Sequence, residues 1–263
     1  MTIFARSAAR WALLLACLIL LLGMGEPQLS PGKTVLITGS NRGIGLEFTR
    51  QYAARGWRVI ATCRNPGKAV NLKAIAAANS QVTIEQLDVT DHAAIDALAA
   101  KYKDTAIDLL LNNAGISGGL ENQQFGRINY ATFRDVYAVN VVGPLKMAEA
   151  FINHVAASDT KKIITISSTQ GSIAKSTGLL YIYRSSKTAV NMAMRNLAIE
   201  LKDRQIIVGL IAPGATNSTM MKGAPITLGK PEDRVNGMIE VIEVFTLDMS
   251  GSFIAYDGKT LPW

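Results

Sequence analysis

The chain has 263 residues, of which 49% are hydrophobic and 18% are charged, and its formal net charge is +7. This length suits one large domain or two small ones, and so apolar a composition excludes a disordered chain. The basic residues are scattered, so no long Lys/Arg cluster suggests a nucleic acid as partner. Cys17 and Cys63 imply no disulfide framework, and His92 and His154 lack ligand-like neighbours, so we predict no metal site.

The first 30 residues differ in character from the rest of the chain. Arg6 and Arg10 precede an uncharged apolar run at residues 11–25, and the stretch EPQLSPG ends it. This order is typical of a signal peptide or a short signal anchor. A core helix, the alternative, is disfavoured because the run is apolar on every face. We therefore assign residues 1–30 to a signal peptide or signal anchor and residues 31–263 to the folded domain.

From Lys33 onward, strand-like runs alternate with helix-like stretches. The predicted strands are KTVLIT, RVIAT, VTIEQL, IDLLLN, KIITIS, IIVGLI and SFIAY. Helices are predicted at residues 45–55, 68–78, 93–101, 130–156, 179–202 and 231–244. Continuous apolar runs are typical of buried parallel strands, and right-handed crossovers place helices on both faces of such a sheet. The predicted fold is α/β, a single doubly wound Rossmann-type domain with a seven-stranded parallel sheet.

Three glycines follow the first predicted strand within TGSNRGIG, at Gly39, Gly43 and Gly45. Ligands of such sheets bind beyond the carboxyl ends of the strands. Glycines let the backbone approach a pyrophosphate closely, and the following helix offers unpaired N–H groups. The spacing differs from the common G-x-G-x-x-G pattern, so a tight turn without a ligand is the alternative.

The second predicted strand ends in Arg64 with no acidic residue nearby. Enzymes selective for NAD usually hold the ribose hydroxyls with an acid at this place. Arg42 projects from the glycine turn toward the same region, and two guanidinium groups suit a 2′-phosphate. We therefore predict NADPH in preference to NADH, the alternative being two solvated arginines.

Tyr183 and Lys187 are four residues apart in YIYRSSK, so they share one face of a helix. Such a pair also arises by chance, but Ser167 and Ser168 end a predicted strand at the ligand-binding edge. A neighbouring ammonium should lower the pKa of the tyrosine from its usual value of about 10. The set then suits proton transfer to a carbonyl oxygen, with a serine hydroxyl holding that oxygen and a nicotinamide supplying hydride.

The order of these motifs resembles that of the short-chain dehydrogenases/reductases. The matching pieces run from Lys33 to the C-terminus: TGSNRGIG, LDVTD, NNAG, YAVNVVG, ITISS, YRSSK and APGATNS. GSFIAYDGKTLPW and YIYRSSK resemble the C-factor and sniffer subgroup of carbonyl reductases. The resemblance implies a homodimer or homotetramer built on the two long helices.

The resemblance implies roles for four residues. Ser168 would be the active serine and Tyr183 the acid. Lys187 would also bind the nicotinamide ribose, and Asn140 would hold a water that relays protons to Lys187. Thr216 and Ser218 stand where the family usually carries Val or Ile followed by Thr, although Thr216 can still offer its backbone to the nicotinamide.

The cofactor NADP(H) is expected to contact residues of the glycine turn and of the loops after the strands. Asp88 and Val89 would flank the adenine, and Asn113 to Gly115 would line the cleft. The complete predicted set is Gly39, Ser40, Asn41, Arg42, Gly43, Ile44, Gly45, Arg64, Asp88, Val89, Asn113, Ala114, Gly115, Tyr183, Lys187, Pro213, Gly214 and Thr216.

The predicted function is NADPH-dependent reduction of a small carbonyl compound to an alcohol, or the reverse. A C-factor-like signalling or binding protein with little turnover is the alternative, and a plain Rossmann binding module would not explain the serine and the tyrosine. Residues 220–229 are short and apolar, which suits a small or flat hydrophobic substrate or reflects ordinary loop packing.

Two arguments disagree about where the domain resides. The predicted chemistry needs a pool of NADPH, which favours a domain in the cytosol. The positive-inside rule, by contrast, would send the domain across the membrane, because Arg6 and Arg10 precede the apolar run and Glu26 follows it. We expect membrane association through residues 11–25 with a cytosolic catalytic domain. Export after signal cleavage, or a soluble cytoplasmic protein translated from near Lys33, are the alternatives.

Overall fold

A computed structural model describes residues 32–218, 220 and 227–263. Its strands are β1 Thr34–Ile37, β2 Arg58–Cys63, β3 Val82–Gln86, β4 Leu109–Asn112, β5 Lys162–Ile166, β6 Ile207–Ala212 and β7 Phe253–Ala255. Its helices are α1 Gly43–Ala54, α2 Val70–Ala78, α3 His92–Lys101, α4 Tyr130–Tyr137, α5 Gly143–Ala156, α6 Tyr181–Glu200 and α7 Pro231–Val244. All seven predicted strands are confirmed, and Lys33–Trp263 forms one compact unit.

The seven strands form one parallel sheet in the order β3-β2-β1-β4-β5-β6-β7. The predicted doubly wound sheet is therefore confirmed. The strand order reverses between β1 and β4, which pair directly, with Val35 opposite Leu109. In such sheets the crevice at the carboxyl ends of the two strands flanking this reversal binds the ligand.

Two apolar layers cover the sheet, one on each face. Alternate side chains of a strand point to opposite faces, so Leu36 packs in one layer and its neighbours Val35 and Ile37 pack in the other. Helices α3, α5 and α6 contribute to the first layer, and α1, α2 and α7 to the second. Every central strand is thus buried on both sides, which explains its continuous apolar sequence.

The predicted single helix over residues 130–156 is interrupted. A π-helical turn, Ala138–Val142, separates α4 from α5, and Asn140 lies in it. Pro144 has no N–H, so the Asn140 carbonyl cannot accept the usual α-helical bond from the residue four positions on. The π-helical turn thus places Asn140 at an irregular point of the backbone. Such turns are frequent at functional sites.

The apolar run at residues 11–25, on which the signal or anchor prediction depends, lies outside the described residues. Residues 219 and 221–226, within the predicted apolar loop, lie outside them as well. Among the described residues, no helix combines the length and the apolar character that crossing a membrane requires.

Candidate active site

The glycine turn after β1 packs directly against the loop after β4. Gly39 has a left-handed backbone with φ of 72°, and a Cβ there would lie 2.9 Å from Ala114 Cα. A Cβ on Gly45 would collide with the carbonyl oxygen of Gly39 and the side-chain amide of Asn113. Gly43 also has a positive φ, of 56°, and a Cβ there would make only an ordinary contact, with Ser218 Cβ at 3.6 Å. Glycine is therefore required by packing at Gly39 and Gly45 and favoured by the backbone conformation at Gly43.

Hydrogen bonds between Thr38 and Asn113 hold this turn in place. Asn113 Nδ2 donates to Thr38 O at 2.8 Å and to Gly39 O at 3.2 Å. Thr38 Oγ1 accepts from the backbone N–H groups of Asn113 and Ala114, both at 3.0 Å. That Asn113 lines the cofactor cleft stays a prediction, whereas its side chain is seen to fix the shape of the turn.

The start of α1 has the features of an anion site. No side chain of the described residues caps this helix, and its first turn carries no acidic residue. Ser40 is fully buried and donates to Ile37 O at 3.0 Å, whereas Asn41 and Arg42 are exposed beside the turn. Unpaired N–H groups at a helix start favour a phosphate, so the turn fits the pyrophosphate of a dinucleotide.

The carboxyl ends of β2 and β3 lie at the same edge of the sheet, on the side of β1 that is away from β4. Arg64, like Arg42, is exposed, and no ion pair within the described residues involves either guanidinium. Asp88 Oδ1 accepts from Thr90 N at 3.0 Å and from Thr90 Oγ1 at 2.8 Å. Val89 is buried, and a Cβ on Gly143 would lie 3.1 Å from it, so the Val89 side chain serves packing.

The two serines after β5 have different environments. Ser167 is buried and donates to Asn191 Oδ1 at 2.6 Å. Ser168 is partly exposed, and its Oγ accepts from Gln170 N at 3.1 Å at the start of the short turn Thr169–Gly171. Only the second hydroxyl is therefore accessible from the cleft.

Tyr183 and Lys187 lie one turn apart on α6, next to the end of β5. Lys187 Nζ lies 5.9 Å from the centroid of the Tyr183 ring and donates to Ile166 O at 2.9 Å. Lys187 is buried, and Tyr183 as a whole residue is partly buried. The structure thus brings Ser168, Tyr183 and Lys187 together at the carboxyl edge of the sheet.

Burial controls the ionisation of both groups. It raises the pKa of Tyr183, and the nearby Ser168 hydroxyl partly opposes that shift. It lowers the pKa of Lys187 to about 8. The predicted lowering of the Tyr183 pKa is therefore wrong, because the cost of removing the phenolate from water exceeds the stabilisation that its neighbours provide.

Asn140 lies beside Lys187 with both ends of its side chain in use. Its Oδ1 accepts from Ile116 N at 2.9 Å, and its Nδ2 donates to Ile116 O at 2.9 Å and Ser186 Oγ at 3.0 Å. A Cβ on Gly115 would lie 3.4 Å from Asn140 Oδ1 and 3.6 Å from Lys187 Nζ. These bonds use both N–H groups of Nδ2 and one of the two acceptor sites of Oδ1.

The loop after β6 forms the remaining wall of the predicted site. Pro213 is buried and Gly214 has a positive φ of 69°. Thr216 is buried, and its hydroxyl donates back to Pro213 O at 3.3 Å and Gly214 O at 3.2 Å. Its backbone pairs with Gly229 in an isolated parallel bridge. Both bonds of its hydroxyl stay within the loop, so the hydroxyl stabilises the loop itself.

Sequence reasoning missed Gln123. This residue is fully buried, and its Oε1 accepts a hydrogen bond from Tyr183 N at 2.9 Å. It stands 60 residues before Tyr183 in a polar, glycine-containing stretch. No periodicity or spacing distinguishes it from the neighbouring Gln124, so only the tertiary fold reveals it.

The fold and this edge together define a dinucleotide-binding oxidoreductase. The family model for short chain dehydrogenase matches residues 33–227. The chain is 35% identical over 158 residues to the C-signal of Myxococcus xanthus, a match that covers 60% of this chain and 93% of that protein. The chain therefore belongs to the short-chain dehydrogenase family, as its motifs predicted.

Solved structures of carbonyl reductases share the fold. The NADPH-bound carbonyl reductase from chicken fatty liver superposes with a TM-score of 0.81 at 31% identity, covering 89% of this chain and 100% of that chain. The carbonyl reductase Sniffer of Drosophila melanogaster gives a TM-score of 0.80 at 28% identity, covering 88% of this chain and 100% of that chain.

Proposed function

We propose that this protein reduces a small carbonyl compound to the alcohol with NADPH, or catalyses the reverse oxidation. The observation that carries the proposal is the position of Ser168, Tyr183 and Lys187 at the edge where the glycine turn lies. A proton donor, a hydroxyl and an ammonium next to a dinucleotide cleft suit proton transfer to a carbonyl oxygen.

Tyr183 would act as the acid. Its raised pKa keeps the phenol protonated at neutral pH, so it holds a proton ready for the carbonyl oxygen. Ser168 would hold the same oxygen through its accessible hydroxyl. Lys187 uses one N–H for Ile166 O, which leaves its others for the nicotinamide ribose. The nicotinamide, when bound, supplies the hydride.

The cofactor would lie across the reversal point between β1 and β4. The glycine turn and the start of α1 would bind the pyrophosphate. Arg42 and Arg64, exposed and without an ion pair in the described ranges, would bind a 2′-phosphate. Support for NADPH over NADH comes from these residues and from the NADPH bound to the chicken carbonyl reductase.

A C-factor-like signalling or binding protein with little turnover is the second candidate, favoured by the similarity to the C-signal. It would keep the cofactor cleft without needing the exchangeable phenol proton. Turnover therefore separates the two candidates. The homodimer or homotetramer implied by the family stays a prediction that light scattering can measure.

The test is a panel of aliphatic, aromatic and quinone carbonyl compounds, with NADPH consumption followed by absorbance. We expect steady consumption with at least one member of the panel, and an alcohol product in equal amount. Tight binding of NADPH without consumption across the panel would favour the signalling candidate instead.

A further inference from the structure

We infer that Gln123 is a positioning residue that caps the start of α6 and thereby fixes the catalytic tyrosine. The inference rests on the proposed function, in which Tyr183 is the acid. Gln123 acts through the backbone of Tyr183 and does not itself touch the reacting atoms.

The start of α6 cannot cap itself. Leu179 and Leu180 precede it with φ values of 57° and 50°, in the left-handed region that non-glycine residues rarely occupy. Leu180 occupies the N-cap position but has no side-chain acceptor. A helix start leaves N–H groups unpaired, and a capping side chain normally accepts from the second or third of them.

Gln123 provides this acceptor from a distant loop. Tyr183 is the third residue of α6, and its N–H donates to Gln123 Oε1 at 2.9 Å. The bond therefore replaces the one that an N-cap serine or aspartate would make. Gln123 is fully buried and the bond is partly shielded from solvent, so losing the side chain removes the protein acceptor of the Tyr183 N–H.

The other end of the same amide holds the loop after β4. Gln123 Nε2 donates to Ser117 O at 2.9 Å and to Gly119 O at 2.8 Å. Two carbonyls require a donor and the Tyr183 N–H requires an acceptor, so these partners determine the orientation of the amide. Gly118 and Gly119, in the same segment, have positive φ values of 81° and 74°, so the loop is sharply bent.

The loop after β4 also contacts the side chain of Asn140. Ile116 precedes Ser117 and exchanges both its backbone hydrogen bonds with the side chain of Asn140, at 2.9 Å each. The loop is thus bonded to Asn140 through Ile116 and to Tyr183 through Gln123. It sets the separation of the two predicted catalytic residues, and small errors in such positions reduce rates strongly.

The direct test compares Gln123→Met with Gln124→Met. Methionine has a similar volume but makes none of the three bonds, and Gln124 is an adjacent, exposed residue of the same type. We expect amide hydrogens in the first turn of α6 to exchange about tenfold faster in Gln123→Met and unchanged in Gln124→Met. We also expect kcat to fall about tenfold with the Kd for NADPH within about twofold of wild type.

A second variant, Gln123→Glu, tests the hydrogen-bond pattern without removing the side chain. A protonated carboxyl can donate to one loop carbonyl and accept from Tyr183 N, whereas the carboxylate can donate to neither carbonyl. Its kcat relative to wild type should therefore rise as the pH falls. A role in packing alone would give no such pH dependence.

The outcomes separate this inference from the proposed function. Amide exchange is measured on the protein without substrate, so it decides the cap even if no carbonyl compound is reduced. Unchanged exchange in Gln123→Met would overturn the inference, as would equal losses of kcat in Gln123→Met and Gln124→Met. A wild-type protein that consumes no NADPH would instead contradict the proposed function.

Discussion

Tyr183 and Lys187 lie side by side on α6, and burial moves their pKa values in opposite directions, up for the phenol and down for the ammonium. Both shifts favour the uncharged forms, as expected where protein replaces water. The phenol therefore keeps its proton at neutral pH. In a reduction, which consumes a proton at the carbonyl oxygen, this phenol would supply it.

The depressed pKa of Lys187 makes stability depend on pH. The folded protein releases this proton near pH 8 and the unfolded chain near 10.5, so between these values the unfolded state binds more protons. The free energy of unfolding should therefore rise with pH in this window, by roughly 3 kcal/mol for this group. The free energy of unfolding of wild type minus that of Lys187→Met, measured by urea titration at each pH, should therefore increase by the same amount.

The exposed Lys202, just beyond the end of α6, gives the matched control. Lys202→Met should follow the pH dependence of the wild type. A constant difference between wild type and Lys187→Met from pH 7 to 10 would show that the ammonium is not desolvated in the fold.

Arg64→Ala should weaken NADPH binding selectively. Losing a charged contact to the 2′-phosphate costs ~1.5–3 kcal/mol, which is about tenfold or more in affinity. NADH lacks this phosphate, so its affinity should change little. Calorimetric titration of both cofactors measures the two effects.

Arg204→Ala is the control for general loss of positive charge, since Arg204 bonds to Asn153 away from the carboxyl edge of the sheet. It should leave both affinities unchanged. Equal weakening of NADPH and NADH binding by Arg64→Ala would contradict the assignment.

At the scale of elements, the turn between β1 and α1 is fixed by packing. Replacing a helical glycine with alanine normally stabilises a helix by ~0.5–1 kcal/mol. Gly45→Ala should do the opposite, because the new Cβ would collide with the Gly39 carbonyl and the Asn113 amide. We expect a loss of ~1–3 kcal/mol in thermal unfolding, with weaker NADPH binding.

Gly67→Ala is the comparison for this turn. Gly67 has no positive φ, and its added Cβ would meet only Asn65 Oδ1, at 3.3 Å. Its stability should stay within ~0.5 kcal/mol of wild type. If Gly45→Ala were equally harmless, the turn would be more plastic than its contacts indicate.

The elements that could be predicted from sequence are those with a continuous signal. Most of the strands are buried apolar runs, and the edge strand β3, VTIEQ, still alternates apolar with polar residues, so all seven were found. The interruption of the helix at Asn140 was missed because Pro144 gives only a local sign of it. The tyrosine pKa was misjudged, since spacing reveals a neighbouring charge but not burial. Gln123 was missed because its partners are distant in sequence.

At the scale of the whole molecule, the role of the N-terminal segment stays a prediction. We propose that residues 11–25 act as an uncleaved anchor with the catalytic domain facing the cytosol. Cell fractionation should find the full-length chain in the membrane fraction, and protease added to the non-cytosolic face should not digest it. A soluble protein that starts near Glu26 or Lys33 would contradict the anchor, and digestion from that face would contradict the orientation.

The measurement that tests the central claim most directly is transfer of deuterium from NADPH labelled at the transferable position of its nicotinamide. Mass spectrometry should find the label on the product alcohol with wild type and with Tyr181→Phe, whose exposed ring lies two residues from the acid. Tyr183→Phe should still bind NADPH yet form no labelled alcohol, because the ring remains and the hydroxyl that donates the proton is lost. Labelled alcohol from Tyr183→Phe at a rate within about threefold of wild type would contradict the account.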